Sequence, residues 1–305
     1  MIHKLEFRAM GCQMLATVDS PSLPAELDDV PVWFEEWEQS LSRFRPDSEL
    51  SNVNRQAGAP TRVSQVFADV FETATYAEKN SGGLVTPILL DALVQAGYDR
   101  SFNLLPLRPT IAYADTLLCQ PRLDEVSWDA STRTICLPHD LHLDFGGTAK
   151  GWAALRAAEK LAKWGPALVN AGGDIAVSDV QSNGRPWLVG VANPFNPSEN
   201  IELLQLGRCG LATSGRDKRR WLQGDRWNHH IIDPYTSQPA ETDVLTATVV
   251  APSVIEAELV AKTILISGSQ TGMNWLEENP QLAGMLVLES GEVLYSRTME
   301  KYLWS

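Results

Sequence analysis

Residues 32–44, VWFEEWEQSLSRF, place Trp33, Trp37, Leu41 and Phe44 three or four positions apart, a spacing that predicts a helix with these side chains in the core. A strand is predicted over residues 4–17, broken at Met10-Gly11. RPDSELSNVNRQAG (45–58) reads as a loop, and SQVFADVFETATYAEKNSGG (64–83) as a second helix that stops at its Gly pair. TPILLDALVQAGYDRSF (86–102) is partly helical, and the Pro-rich stretch from about Asn103 to Trp128 fits no element. In LHLDF (141–145), Leu141, Leu143 and Phe145 alternate with His142 and Asp144, which predicts a strand. A helix follows with Ala154, Leu155, Ala158, Leu161 and Ala162 on one face and Arg156, Glu159, Lys160 and Lys163 on the other, ending at Gly165. PALVNAGGDIAV (166–177) returns as a strand interrupted by Gly172-Gly173. Farther on, strands WLVGVAN and TATVVAP flank two loops, LATSGRDKRRW and NHHIIDPYTSQPA; the helix SVIEAELVAKTILISG and a terminal hairpin complete the chain. Strands and helices alternate, but hairpins are frequent. The mixture favours an α+β fold over a doubly wound sheet, read as a single domain over residues 1–305.

Composition narrows the class. With 305 residues, 44% of them hydrophobic, the chain can bury a large core. No apolar run approaches the roughly 20 residues of a membrane helix, and MIHKLEFRAM lacks the apolar centre of a signal peptide; the expectation is a cytoplasmic protein without membrane insertion. A net charge of −13 opposes general nucleic-acid binding, so any phosphate must be gripped locally. The basic run at residues 216–220 reads as a solvated turn, with an anion contact as the alternative. Cys12, Cys119, Cys136 and Cys209 are scattered and read as buried thiols, forming neither a zinc site nor a disulfide framework.

The densest candidate chemistry is DFGGTAKG (144–151). A strand-Gly-Gly-helix join offers free backbone N–H groups and a helix N-terminus to an anion, Lys150 adds a charge, and Gly146 and Gly147 permit close approach. The spacing is neither GxGxxG nor GxxxxGK[ST], and locally a phosphate site and a plain tight turn are equally good readings. Gly172-Gly173-Asp174, Ser214-Gly215 and HHIIDP (229–234) are further loop clusters, the last a possible His/Asp site.

Taken in order, MGCQM (10–14), LSRFRPDSELSNVN (41–54), GLVTPILLDALVQAGYDRSF (83–102), DFGGTAKG, VNAGGDI (169–175), ATSG (212–215), HIIDP (230–234) and VVAPSVIEAELVAKTILISG (249–268) resemble the FAD:protein FMN transferase, or ApbE, family across nearly the whole chain. The resemblance implies an ApbE-like, T-fold-like α+β architecture of mixed and antiparallel sheets with flanking helices and an elongated FAD cleft. It implies an enzyme that, with Mg2+, splits FAD and transfers FMN to a Thr or Ser hydroxyl of a target flavoprotein, releasing AMP. An FAD pyrophosphatase and a non-catalytic FAD carrier are the alternatives. By the same resemblance Met10 lies at the adenine end, and Leu84, Val85, Thr86, Asp144, Lys150 and Ile231 contact or border FAD. Asn54 stands near the diphosphate, Gly172, Gly173, Asp174, Ser214 and Gly215 form site loops, and His230 is the candidate base. The carbonyl of Gly147 and residues Glu258 and Lys262 take the metal positions.

Four departures stand out. The family's metal site has an Asp and, four residues on, a Thr, where this chain has Glu258 and Lys262; Lys offers no oxygen and would repel a divalent cation. Its ammonium could instead stand where the metal sits and pair with Glu258 or the pyrophosphate, or the two could form a simple i, i+4 pair on a helix surface. The family's Asp-Pro-Thr run is Thr86-Pro87-Ile88 here, and the Gly usual after HIIDP is Ser237. No lipobox is present, although many members are exported lipoproteins.

Overall fold

A computed structural model describes residues 1–105 and 123–304, so Cys119 and most of the Pro-rich stretch lie outside the described residues. The helices are α1 (Glu26–Leu41), α2 (Glu49–Arg55), α3 (Gln65–Asn80), α4 (Leu90–Gln95), α5 (Ala149–Leu161), α6 (Val254–Ser267) and α7 (Ser269–Glu278). The chain forms two compact units, one of residues 1–34, 150–217 and 242–305, the other of residues 35–149 and 218–241.

The first unit is built on an eight-stranded sheet whose spatial order follows the chain: Ile2–Ala9, Cys12–Asp19, Ala167–Ala171, Asp174–Val177, Cys209–Gly215, Val244–Ala251, Ala283–Leu288 and Val293–Tyr295. Every neighbouring pair is antiparallel. Period-two alternation sorts its side chains. Ala212, Val249 and Leu286 pack with Ala257, Ala261 and Ile264 of α6 and Leu276 of α7. Leu211, Val250 and Met285 pack with Trp187, Leu204 and Met299. Each of the eight residues of Val244–Ala251 is therefore buried, which is why this strand reads as a continuous apolar run.

The breaks expected at Met10-Gly11 and Gly172-Gly173 are tight turns between paired strands. Met10 and Gly11, with φ of 48° and 69°, join two paired strands, and Gly172 and Gly173, at 68° and 108°, do the same between Ala171 and Asp174. Two positive φ values in a two-residue loop match the strand twist, so the Gly pair makes a hairpin and not a bulge. Ser214 and Gly215, expected in a loop, end the Cys209–Gly215 strand. Arg216 is not a solvated turn residue: it is buried, and its guanidinium donates to the carbonyls of Val244 (3.0 Å) and Thr242 (2.6 Å) and pairs with Glu289 (2.9 Å).

The second unit holds α2, α3, α4, a three-stranded sheet in the order Thr61–Arg62, Thr134–Cys136, Ser127–Asp129, and two short hairpins over residues 220–239. The expected loop at 45–58 contains α2, because the Ser48 hydroxyl accepts the Ser51 N–H at 3.0 Å and the helix buries Leu50 and Val53. The helix expected at 32–44 begins earlier and ends at Leu41; Phe34 is fully buried, whereas Phe44 is 37% exposed.

Residues 141–145 alternate as expected, with Leu141, Leu143 and Phe145 buried, yet they pair with no strand among the described residues. A side chain takes the place of the ladder. Asn54 accepts the Leu143 N–H at 2.8 Å and donates to the Leu143 carbonyl at 2.9 Å, and the Asp144 N–H donates to the Pro87 carbonyl at 2.7 Å. Substituting Asn54→Ala orphans both backbone groups of Leu143 and is expected to lower stability by about 2–4 kcal/mol, seen as a lower urea midpoint at unchanged m.

Candidate functional site

The turn that opens α5 belongs to the second unit up to Ala149. Asp144 shapes it: Oδ1 accepts the Gly146 N–H at 2.8 Å, while Oδ2 forms an ion pair with Arg43 Nε at 2.7 Å. The N–H groups of Thr148 and Ala149 both donate to the Phe145 carbonyl. Arg43 lies over the rings of Phe44 (4.2 Å) and Tyr98 (4.6 Å), and Tyr98 stacks on Trp221 at 5.2 Å. Two buried polar atoms at this turn, Arg43 Nη2 and Thr148 Oγ1, have no hydrogen-bond partner. Arg43 stands inside a quoted motif but offers no local signal, since its partner lies about 100 positions away.

Other expected site residues gather in the same unit. The Thr86 hydroxyl donates to the Glu78 carboxylate, and the Val85 N–H donates to Ser81 Oγ at 2.9 Å. The Tyr235 hydroxyl donates to the Gly82 carbonyl at 2.9 Å, tying the loop that carries Leu84 to the loop that follows His230 and Ile231. His229 is spent on structure, with Nδ1 accepting the Ile231 N–H and Nε2 3.1 Å from the Ala240 carbonyl; His230 is half-buried beside it. His142 Nδ1 lies 3.0 Å from both Asp91 oxygens, and this hydrogen bond holds its pKa above the usual histidine value.

In the first unit four charged groups converge. Lys150 Nζ donates to Asp174 Oδ2 at 2.7 Å and stands 3.5 Å from Glu258 Oε1, to which Lys262 Nζ donates at 2.8 Å. Glu258 and Asp174 are 2% and 4% exposed, so the Glu258–Lys262 pair does not lie on a helix surface. Burial, then the neighbouring Asp174 charge, pushes the Glu258 pKa up against the pull of the two ammoniums. Two glycines make room here. A Cβ on Gly151 would fall 2.4 Å from Glu258 Oε2, and one on Gly172, 2.8 Å from Cys12 Sγ. Ala212 pairs with Asp174, which sets the strand of Ser214 and Gly215 beside it.

The donor set tests the expected groups differently. At the 144–149 turn the N–H groups of Gly146, Thr148 and Ala149 are already engaged, and what suits a phosphate is the helix N-terminus with two unpartnered donors, Arg43 Nη2 and Thr148 Oγ1. A divalent metal does not fit the cluster, because each carboxylate already holds an ammonium. Among the described residues no group of three or more His, Cys, Asp and Glu forms a metal site.

A carboxylate whose folded pKa is raised contributes stability that is present below its unfolded value of about 4.5 and is lost as pH rises through the folded value. Glu258→Gln is therefore expected to gain on the parent protein in denaturant titrations as pH is raised from about 4.5 through the folded value, and to gain no further above it. Lys262→Met, which removes the nearest ammonium, is expected to cost about 3 kcal/mol, and adding Glu258→Gln should recover most of it.

The sequence profile of the ApbE family matches residues 10–286. A Treponema pallidum protein named FAD:protein FMN transferase is 30% identical over 285 residues, covering 88% of this chain and 78% of its own. A Vibrio cholerae protein of the same name is 26% identical over 296 residues, covering 92% and 83%. The fold is that of the Thermotoga maritima ApbE protein, with a TM-score of 0.87 at 21% identity over all of both chains, and of the Vibrio cholerae flavin transferase ApbE, 0.81 at 22% over 99% of each. On the extent of the profile match and on these relatives, the chain belongs to the ApbE family.

Proposed function

We propose that this chain is an FAD:protein FMN transferase, which cleaves FAD, joins FMN to a Thr or Ser hydroxyl of an acceptor flavoprotein and releases AMP. Beside the named relatives, the observation that carries the reading is the Asp144–Thr148 turn, a rigid helix start with buried donors and no charged group of its own left to repel a phosphate. In the reaction the acceptor oxygen attacks the FMN phosphorus, the bond to the AMP oxygen breaks, and the hydroxyl proton passes to a base. His230, half-buried in a loop pinned through Tyr235, takes that proton in this reading. Asn54, Leu84, Val85, Thr86 and Ile231 line or support the flavin nucleotide in this reading, Asn54 by holding Leu143 and thus the turn.

Charge on the diphosphate must be neutralised as the bond breaks. In this chain the positions expected to hold a metal carry Glu258 and Lys262, already paired with one another, with Lys150 and Asp174 beside them. No described helix is long and apolar enough to cross a membrane, and the net charge of −13 disfavours nucleic acid.

Incubation with FAD and an acceptor domain bearing a target Thr is expected to yield covalent FMN and AMP in equal amounts by mass spectrometry. AMP with free FMN would make the protein a pyrophosphatase, and intact retained FAD a carrier. FAD affinity is expected to be the same in EDTA and in Mg2+. His230→Ala should lower the transfer rate by about 10²–10⁴-fold while leaving FAD affinity unchanged.

A further inference from the structure

An aspartate is an odd residue to place at a phosphate-binding turn, because its charge opposes the ligand. Asp144 is needed for shape, since its Oδ1 closes the turn onto the Gly146 N–H. Arg43 offsets its charge through Nε, at 2.7 Å, and is itself held flat by Phe44 and Tyr98. That leaves the rest of the guanidinium fork. The Arg43 side chain is 6% exposed, and Nη2 is buried with nothing to donate to. A buried guanidinium N–H without an acceptor costs more than a neutral one, so a position that keeps it calls for a partner that arrives later.

A second orphan lies on the same turn. Thr148 immediately precedes α5, where a hydroxyl ordinarily accepts an N–H from the first helical turn. Its Oγ1 makes no such bond, although the residue is 8% exposed. A capping residue whose hydroxyl does not cap is free to donate elsewhere.

We propose that Arg43 and Thr148 are the side-chain donors of a phosphate subsite on the Asp144–Thr148 turn, Arg43 also holding Asp144 in place so that the turn carries no net negative charge. The proposal rests on the flavin-transfer reading for its ligand, a phosphate oxygen of the flavin nucleotide. Its geometry stands apart from that reading. Arg43 spends one edge of its fork on Asp144 and keeps the other for the ligand, an arrangement that lysine, with a single nitrogen, cannot reproduce. The ring contacts fix the guanidinium before the ligand arrives, so little side-chain freedom is lost on binding.

The test compares Arg43→Lys and Thr148→Val with the parent protein, using calorimetry against FAD, FMN, riboflavin and inorganic pyrophosphate, with unfolding midpoints measured in the absence of ligand. Arg43→Lys is expected to weaken FAD, FMN and pyrophosphate about 10-fold and Thr148→Val about 5-fold, while riboflavin, which has no phosphate, is unchanged. Thr148→Val should at the same time keep or raise the ligand-free midpoint, because it removes a hydroxyl with no partner. A merely structural Thr148 would move stability and affinity in the same direction.

Unchanged affinities for the phosphate-bearing probes in both variants, or an equal loss for riboflavin, would overturn the proposal. If the parent protein ignores FAD but pyrophosphate binding still depends on Arg43 and Thr148, the subsite stands and the flavin reading falls. If FAD binds and neither variant alters it, the reverse holds.

Discussion

A carboxylate with almost no contact with water governs the first unit. Glu258 sits on α6, beneath the first turn of α5, at a place where any side chain on residue 151 would collide with it. A lone charge there would be strongly disfavoured, and the surroundings answer that problem. Lys262 comes from one turn along the same helix, and Lys150 reaches over from α5 and is shared with Asp174, whose strand follows the Gly172-Gly173 hairpin. The identity of residue 151, the sharpness of that hairpin and the approach of α5 to the sheet are thus parts of one electrostatic solution. Moving any one of them would strand a charge.

The second unit solves a different problem by different means. Its central segment, residues 141–145, has the side-chain alternation of a strand without a neighbouring strand to satisfy it. Asn54, Asp144 and Tyr235 each use a side chain to bind a backbone group that regular structure would otherwise have engaged. Polar side chains at these positions act as braces, so their chemistry is committed to shape. Arg43 and Thr148 differ because part of their capacity is left over.

Much of this was visible in the chain and some was not, for physical reasons. The helix start at DFGGTAKG, the buried run of Val244–Ala251 and the helix at 254–267 are local patterns with few alternatives. The segment LHLDF was misleading because alternation reports which side chains are buried, and a side-chain brace and a strand bury the same ones. α2 escaped notice because seven residues between Pro46 and Gly58 carry the composition of a loop, and only the Ser48 cap marks the helix. Arg216 looked like one member of a solvated basic run, yet its acceptors come from residues 242, 244 and 289. Lys262 beside Glu258 was legible as an i, i+4 pair, whereas its burial and the arrival of Lys150 from 108 residues away were not.

The brace between Asn54 and Leu143 joins positions 89 residues apart. Closing so long a loop costs chain entropy that two hydrogen bonds return only after α2 and the hydrophobic positions around it are in place. The shape of the turn at 144–148 therefore depends on a contact of long sequence separation and not on its local sequence alone. A ligand held there binds the finished turn and not its precursors, so it draws the whole brace toward the native state. A ligand held at the turn and the amide brace behind it would therefore stabilise one another across 89 residues of chain.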